Sequence, residues 1–143
     1  MADDLLELRE TPIDAAAITA FVTDARAGGI ATFLGTTRAE RHADGRELIA
    51  LDYDAYAEMA QKQFRDLANE ARKRWPIVKL ALVHRTGRVK LAEASVAIAV
   101  SSPHRGDAFE ACRWLIDSLK ATAVIWKKEI WDDGSGTWVH PTR

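Results

Sequence analysis

The chain has 143 residues, 48% of them hydrophobic and five of them tryptophan, which is enough apolar surface for one compact domain with a sizeable core. Its 20 Lys and Arg against 21 Asp and Glu give a net charge of −1, which excludes the overall positive field that would hold a nucleic acid or an anionic membrane. The single Cys112 excludes an internal disulfide, no Cys/His cluster has zinc spacing, and neither a signal peptide nor an apolar run of the ~20 residues needed to cross a bilayer stands out, so the expected compartment is a reducing cytoplasm.

In chain order, Thr11-Pro12-Ile13-Asp14 predicts a helix start with Thr11 as N-cap, and Ile13, Ala17, Ala20 and Phe21 follow at helical spacing until Gly28 and Gly29. Ile30 to Thr37 reads as a strand in which Gly35 marks a bulge or a close approach. Residues 39 to 46 (AERHADGR) are charged and aperiodic and read as a mobile loop. Glu47 to Asp54 is a second strand, and Tyr56, Met59, Ala60, Phe64, Leu67, Ala71 and Trp75 then keep one apolar helical stripe, ended by Pro76.

Ile77 to Arg85 and Ala94 to Ser101 follow as strands. In the second of these Val96, Ile98 and Val100 share one face, while Ala97 and Ala99 leave room on the other for a closely packed helix. A third helix is expected from about Pro103 to Thr122, then a strand over Val124 to Trp131, a turn at Asp133-Gly134 and a short strand near Thr137 to His140. The order of helices and strands predicts one α+β domain over residues 1–143 with a mixed, largely antiparallel sheet.

The chemistry concentrates after the fourth strand. In Ser101-Ser102-Pro103-His104-Arg105 a strand feeds a helix through an expected Ser102 cap with Pro103 in the first position. His104 and Arg105 place basic side chains at a positive helix end, which is unfavourable unless an anion such as phosphate sits there or Arg105 pairs with Asp107 or Glu110. Along this helix Phe109, Cys112, Leu115, Ile116 and Leu119 form an apolar arc that makes Cys112 a core residue. Lys120 and Arg113 fall at its edge, where Lys120 either snorkels or presents its amine to a cleft. In Ile125-Trp126-Lys127-Lys128-Glu129-Ile130-Trp131, strand alternation puts Lys127 and Lys128 on opposite faces. Only one of them points into a given site, unless both guard an edge.

The segments GGIATFLGTTR (Gly28 to Arg38), LDYDAYAEMA (Leu51 to Ala60), HRTGRVKLAEASVAIAV (His84 to Val100), SSPHRGDAFEACRWLIDSLK (Ser101 to Lys120) and IWKKE (Ile125 to Glu129) resemble, in order and spacing, the large subunit of molybdopterin synthase, the MoaE family. Three positions depart from the family pattern: Thr37 where valine is usual, Ala92 where a glycine precedes Glu93, and Val124 where proline precedes Ile125.

The resemblance implies an α/β-hammerhead fold and a homodimer of large subunits within a heterotetramer. Each large subunit would bind a small ubiquitin-like sulfur carrier whose C-terminal Gly-Gly bears a thiocarboxylate. Because this chain ends His140-Pro141-Thr142-Arg143, the sulfur donor is expected to be a separate polypeptide. The implied reaction converts cyclic pyranopterin monophosphate (precursor Z) into the dithiolene of molybdopterin, with no metal or cofactor. The resemblance assigns Lys120 and Lys127 to catalysis. Arg38, His104 and Arg105 would hold phosphate and pterin, and Phe33, Thr36, Thr37, Lys128 and Glu129 would complete the substrate site. The competing reading of the residues is a non-enzymatic phosphate- or nucleotide-binding module that uses the Ser102 to Arg105 helix start.

Overall fold

A computed structural model describes residues 3–121 and 124–139. The elements run β1 (Asp4–Arg9), α1 (Ala15–Val22), β2 (Gly29–Thr36), β3 (Leu48–Ala55), α2 (Ala57–Arg74), β4 (Lys79–Arg85), β5 (Gly87–Lys90), β6 (Ala94–Ser102), α3 (Arg105–Lys120), β7 (Ile125–Trp131) and β8 (Gly136–Val139). The expected ends at Thr122 and His140 lie outside the described residues.

The α+β class holds, but the strands form two sheets instead of one. The first has order β1-β4-β6-β2, mixed because β1 runs parallel to β4; the second, β5-β3-β7-β8, is antiparallel throughout. Alternation along β6 divides the core as the sequence predicts. Val96, Ile98 and Val100 join Leu80 and Leu82 beneath α2 and α3, whose Ala60, Phe64, Ala111, Leu115 and Ile116 close that side. Ala97 and Ala99, with Ala81 and Val83, take Ile18 and Val22 of α1 on the opposite face, where small side chains let the helix lie close.

Helix boundaries depart from expectation for local reasons. Asp14, and not Thr11, caps α1, its carboxylate accepting from the Ala16 and Ala17 amides at 3.0 and 3.2 Å, so Pro12 precedes the helix. The helix ends at Val22, well before Gly28 and Gly29, whose smallness serves another purpose. A Cβ on Gly28 would run into the Pro103 carbonyl, and one on Gly29 would come within 2.8 Å of the Arg105 Cα, so the two glycines let β2 pass beneath the start of α3. Ser102 is the last residue of β6 and not a cap; His104 stands at the N-cap without a side-chain hydrogen bond, and Pro103 lies outside the helix.

On α2, Tyr56 and Met59 are exposed and the buried stripe is Ala60, Phe64, Ala68 and Ala71; on α3, Phe109 is likewise exposed, outside the buried arc. Residues 39 to 46 are aperiodic but tied back on themselves. Backbone bonds join His42 to Arg46 and Leu48 to Glu40, and the Arg46 guanidinium sits 5.1 Å over the Trp131 ring.

Candidate functional site

A cavity of about 630 Å³ opens where the C-terminal end of α3 meets the ends of both sheets. Strand alternation supplies most of its wall. On β7, Ile125, Lys127 and Glu129 face it, with Tyr53 and Leu51 of β3 directly opposite Lys127 and Glu129 in the antiparallel register. The first sheet contributes Phe33, Gly35 and Thr36 of β2, Val96 of β6 and His84 of β4, and Arg38 follows just beyond β2. Gly35 makes room here. A Cβ on it would come within 2.6 Å of Val96 Cγ1 and 3.3 Å of the Phe33 ring, and the β2–β6 register shifts between Gly35 and Thr36, the bulge expected there.

Lys120, Lys127 and Arg38 bring three cations to the cavity, against the carboxylates of Glu129 and Glu40. Glu129 is buried. Arg38 is 87% exposed and reaches Glu40 at only 3.9 Å. Lys120 is also exposed, and among the described residues no ion pair involves it. Placed there, Lys120 offers fixed positive charge to an anion within the cavity.

The structure thus gathers Phe33, Thr36, Arg38, Lys120, Lys127 and Glu129 around one space and leaves Thr37, His104, Arg105 and Lys128 out of it. Thr37 is 3% exposed, its amide and carbonyl bonded to Glu93 and Ala92, so it faces the fold and not a substrate. Lys128 points to the other side of β7, its ammonium 5.7 Å from the Trp138 ring and its stem packed on Gly136. His104 and Arg105 are exposed at the start of α3. Among the described residues no ion pair joins Arg105 to Asp107 or Glu110, and Glu110 instead accepts from the Trp75 indole at 3.3 Å. Along 16 residues of helix, Arg105 and Lys120 are separated by about 22 Å of rise, which sets them at opposite ends of α3, and only Lys120 lines the cavity.

The residue that sequence reasoning missed is His84. Period-two spacing with Leu80 and Leu82 puts it on the helix-covered face of β4, opposite Val96, where it is 7% exposed and lines the cavity. Its Nδ1 lies 2.7 Å from the Arg85 carbonyl oxygen, and its ring meets Tyr53 edge-on at 5.0 Å. Burial, with the nearby Lys120 charge adding to it, holds its pKa down to about 4 against the pull of the backbone bond, so the ring is neutral. Burial also pushes the Tyr53 phenol up. Cys112 is a core thiol raised by burial to about 11, with Sγ 3.7 Å from the Ile98 carbonyl, as its place in the apolar arc predicts.

Among the described residues, no group of His, Cys, Asp and Glu could hold a metal ion, and no helix is long and apolar enough to cross a membrane. The family described as MoaE protein matches residues 8–122. The molybdopterin synthase catalytic subunit of Thermoplasma volcanium is 44% identical over 138 residues, 96% of this chain and 99% of that one. The same subunit of Nostoc sp. is 39% identical over 138 residues, 96% of this chain and 82% of its own length. Among solved structures, molybdopterin synthase from Staphylococcus aureus superposes with a TM-score of 0.86 at 33% identity, covering 94% of this chain and 96% of that chain. With a cavity assembled from the very segments that carry the resemblance and matches spanning nearly its whole length, this chain belongs to the MoaE family.

Proposed function

We propose that the chain is the catalytic subunit of a molybdopterin synthase. It transfers sulfur from the C-terminal thiocarboxylate of a small ubiquitin-like partner to cyclic pyranopterin monophosphate, building the dithiolene. The observation that carries this reading is the convergence of Lys120, Lys127 and Arg38 on one cavity that is open to an incoming chain end. The donor is anionic, the substrate carries a cyclic phosphate, and attack at either centre passes through negatively charged tetrahedral species. Fixed ammonium and guanidinium groups in a part-enclosed cavity stabilise such charge more than water does. Lys120 and Lys127 act on the reacting sulfur and oxyanion, Arg38 on the phosphate, and Phe33, Thr36 and Glu129 shape the walls. The step draws its charge stabilisation from these side chains and its sulfur from the partner, without a metal or cofactor, and it belongs in the cytoplasm.

His104 and Arg105 enter the same reading through a second copy of the chain. They lie about 22 Å from Lys120 along α3 and outside its cavity lining, so in this reading they meet the substrate held by the other protomer of a homodimer. The complementation test is direct. Lys120→Ala and Arg105→Ala proteins, each strongly impaired with thiocarboxylated small subunit at precursor Z well below the wild-type KM, are mixed and allowed to exchange subunits. Heterodimers carry one intact cavity, so about a quarter to a half of wild-type dithiolene formation should return; no recovery in verified heterodimers would place both residues in one protomer's site. Failure of the wild-type protein to make dithiolene with a competent donor would end the reading altogether and favour a phosphate-binding module at the α3 start.

A further inference from the structure

We propose that His84 is a positioning residue for Lys120: a buried, neutral imidazole that accepts a hydrogen bond from the lysine amine and holds its remaining N–H groups toward the cavity. The inference rests on the reading of Lys120 as the cation of the sulfur-transfer site. It is built from the tautomer. A carbonyl oxygen only accepts, so the 2.7 Å contact to Arg85 requires the proton on Nδ1, and the neutral ring then carries its lone pair on Nε2. The ring cannot swing to trade the two nitrogens. It is fixed by the Arg85 carbonyl on one side, by the Tyr53 ring edge-on at 5.0 Å, and by its place on β4 opposite Val96. His84 and Lys120 line the same cavity, and the Lys120 charge is the one that bears on the imidazole, so in this proposal Nε2 is the atom that meets the amine.

A neutral acceptor suits this position better than a carboxylate would. Lysine has three donors on a flexible stem, and an unpaired ammonium at the exposed end of α3 samples many rotamers. A carboxylate partner would neutralise the charge that the reaction uses. An imidazole that stays unprotonated takes one N–H, restricts the stem and leaves the positive charge and two donors for the substrate. Preorganisation of this kind acts on the transition state, and so on kcat more than on KM.

Two conservative variants separate the roles of the two nitrogens. His84→Asn keeps a donor for the Arg85 carbonyl and removes the acceptor, whereas His84→Gln keeps an acceptor near the Nε2 position. In the assembled complex with thiocarboxylated small subunit, His84→Asn should lower kcat about tenfold or more with KM within about twofold, and His84→Gln should recover most of it. Independently of turnover, competitive acetylation of the free chain, read by mass spectrometry with Lys73 as internal reference, should show Lys120 several-fold more reactive in His84→Asn and near wild type in His84→Gln. Unchanged Lys120 labelling in folded His84→Asn, even with lower activity, would make His84 a packing residue. An Nε2–H tautomer for His84 by 15N NMR of the wild-type chain would overturn the proposal without any variant. Inactivity of the wild-type complex would end the sulfur-transfer reading while the labelling and tautomer results still decide the contact.

Discussion

The two ends of α3 carry the same kind of side chain in opposite settings. At its C-terminal end Lys120 sits over a cavity walled by strands from both sheets, in company with Lys127, Arg38 and a neutral buried histidine. At its N-terminal end His104 and Arg105 stand in solvent, with neither a capping side chain nor an ion pair among the described residues, on a turn made possible by two glycines of the neighbouring strand. The helix dipole favours a cation at the first end and disfavours cations at the second, so the sequence accepts an electrostatic cost only where the chain alone has nothing to bind. In the proposed reading the first end is one half of a substrate site, and the second supplies donors to an anion held by another protomer.

The largest test of that contrast is Lys120→Ala. Removing one preorganised charge from the oxyanion environment should lower turnover about 10²- to 10³-fold while thermal unfolding of this exposed position stays within about 1 °C of wild type. Arg105→Ala should instead raise KM for the pterin about tenfold, since a charge-assisted contact at an open surface serves binding. Equal loss of kcat from both variants would erase the distinction between the ends.

The cavity end should also show itself in acid. His84 has a folded-state pKa of about 4 against 6.5 in the unfolded chain, so between these values the unfolded state binds the extra proton and stability falls as pH falls. The full difference is about 3 kcal/mol, developed from pH 6.5 down to about 4 and absent above it. The groups bearing on the ring are Lys120 from α3, Tyr53 from β3 and the Arg85 carbonyl. Denaturant unfolding at pH 7, 6, 5 and 4.5 should therefore show a slope in wild type that His84→Gln flattens; a parallel slope in both would move the effect to other groups.

The opposite end is tested through its floor. Gly28→Ala forces a methyl against the Pro103 carbonyl, which is backbone and cannot rotate away, so destabilisation of about 1 to 3 kcal/mol is expected with a larger loss of substrate affinity than of kcat. An alanine tolerated without change in midpoint would mean that the α3 start is not held by this contact.

How much of this was legible in sequence depends on where the determining contact lies. The alternation of β6 was readable because each face meets a helix of different bulk, and the face of Lys127 followed from strand period alone. β1 was not readable. Leu5 faces α1 while Leu6 and Leu8 face α2 and α3, so a strand covered on both sides loses its period, and its parallel partner β4 lies some seventy residues away, as in the pair Asp4 and Leu80. Gly28 and Gly29 were read as a helix stop because a close approach by Pro103 and Arg105 is invisible to local rules. Lys120 and Lys127 stood out from helix edge and strand period with their roles left open, which the family resemblance decided along with adding Arg38, and His84 escaped because a histidine at the end of an apolar strand looks like any core residue until Tyr53 and Lys120 are placed around it.

The smallest expected effects lie at the cavity rim, where two departures from the family pattern turn out to be neighbours. The Ala92 amide donates to the Thr37 carbonyl at 2.8 Å, and the Thr37 amide donates to Glu93 at 3.1 Å, so both residues belong to one backbone clasp just behind Thr36. Ala92 sits at φ 67°, the left-handed region that the family's glycine adopts without strain and an alanine enters at about 1 kcal/mol. Thr37 Oγ1 is buried without a partner, where the family's valine would place a methyl. Ala92→Gly and Thr37→Val should each raise stability by about 1 kcal/mol, read as a shift in denaturant midpoint at constant m-value. Their sum should fall short of additive, because each relaxes the same clasp. Turnover should hardly move, since neither side chain lines the cavity; a change of more than about threefold in kcat would show that Thr36 and Arg38 depend on the strain of this turn for their positions.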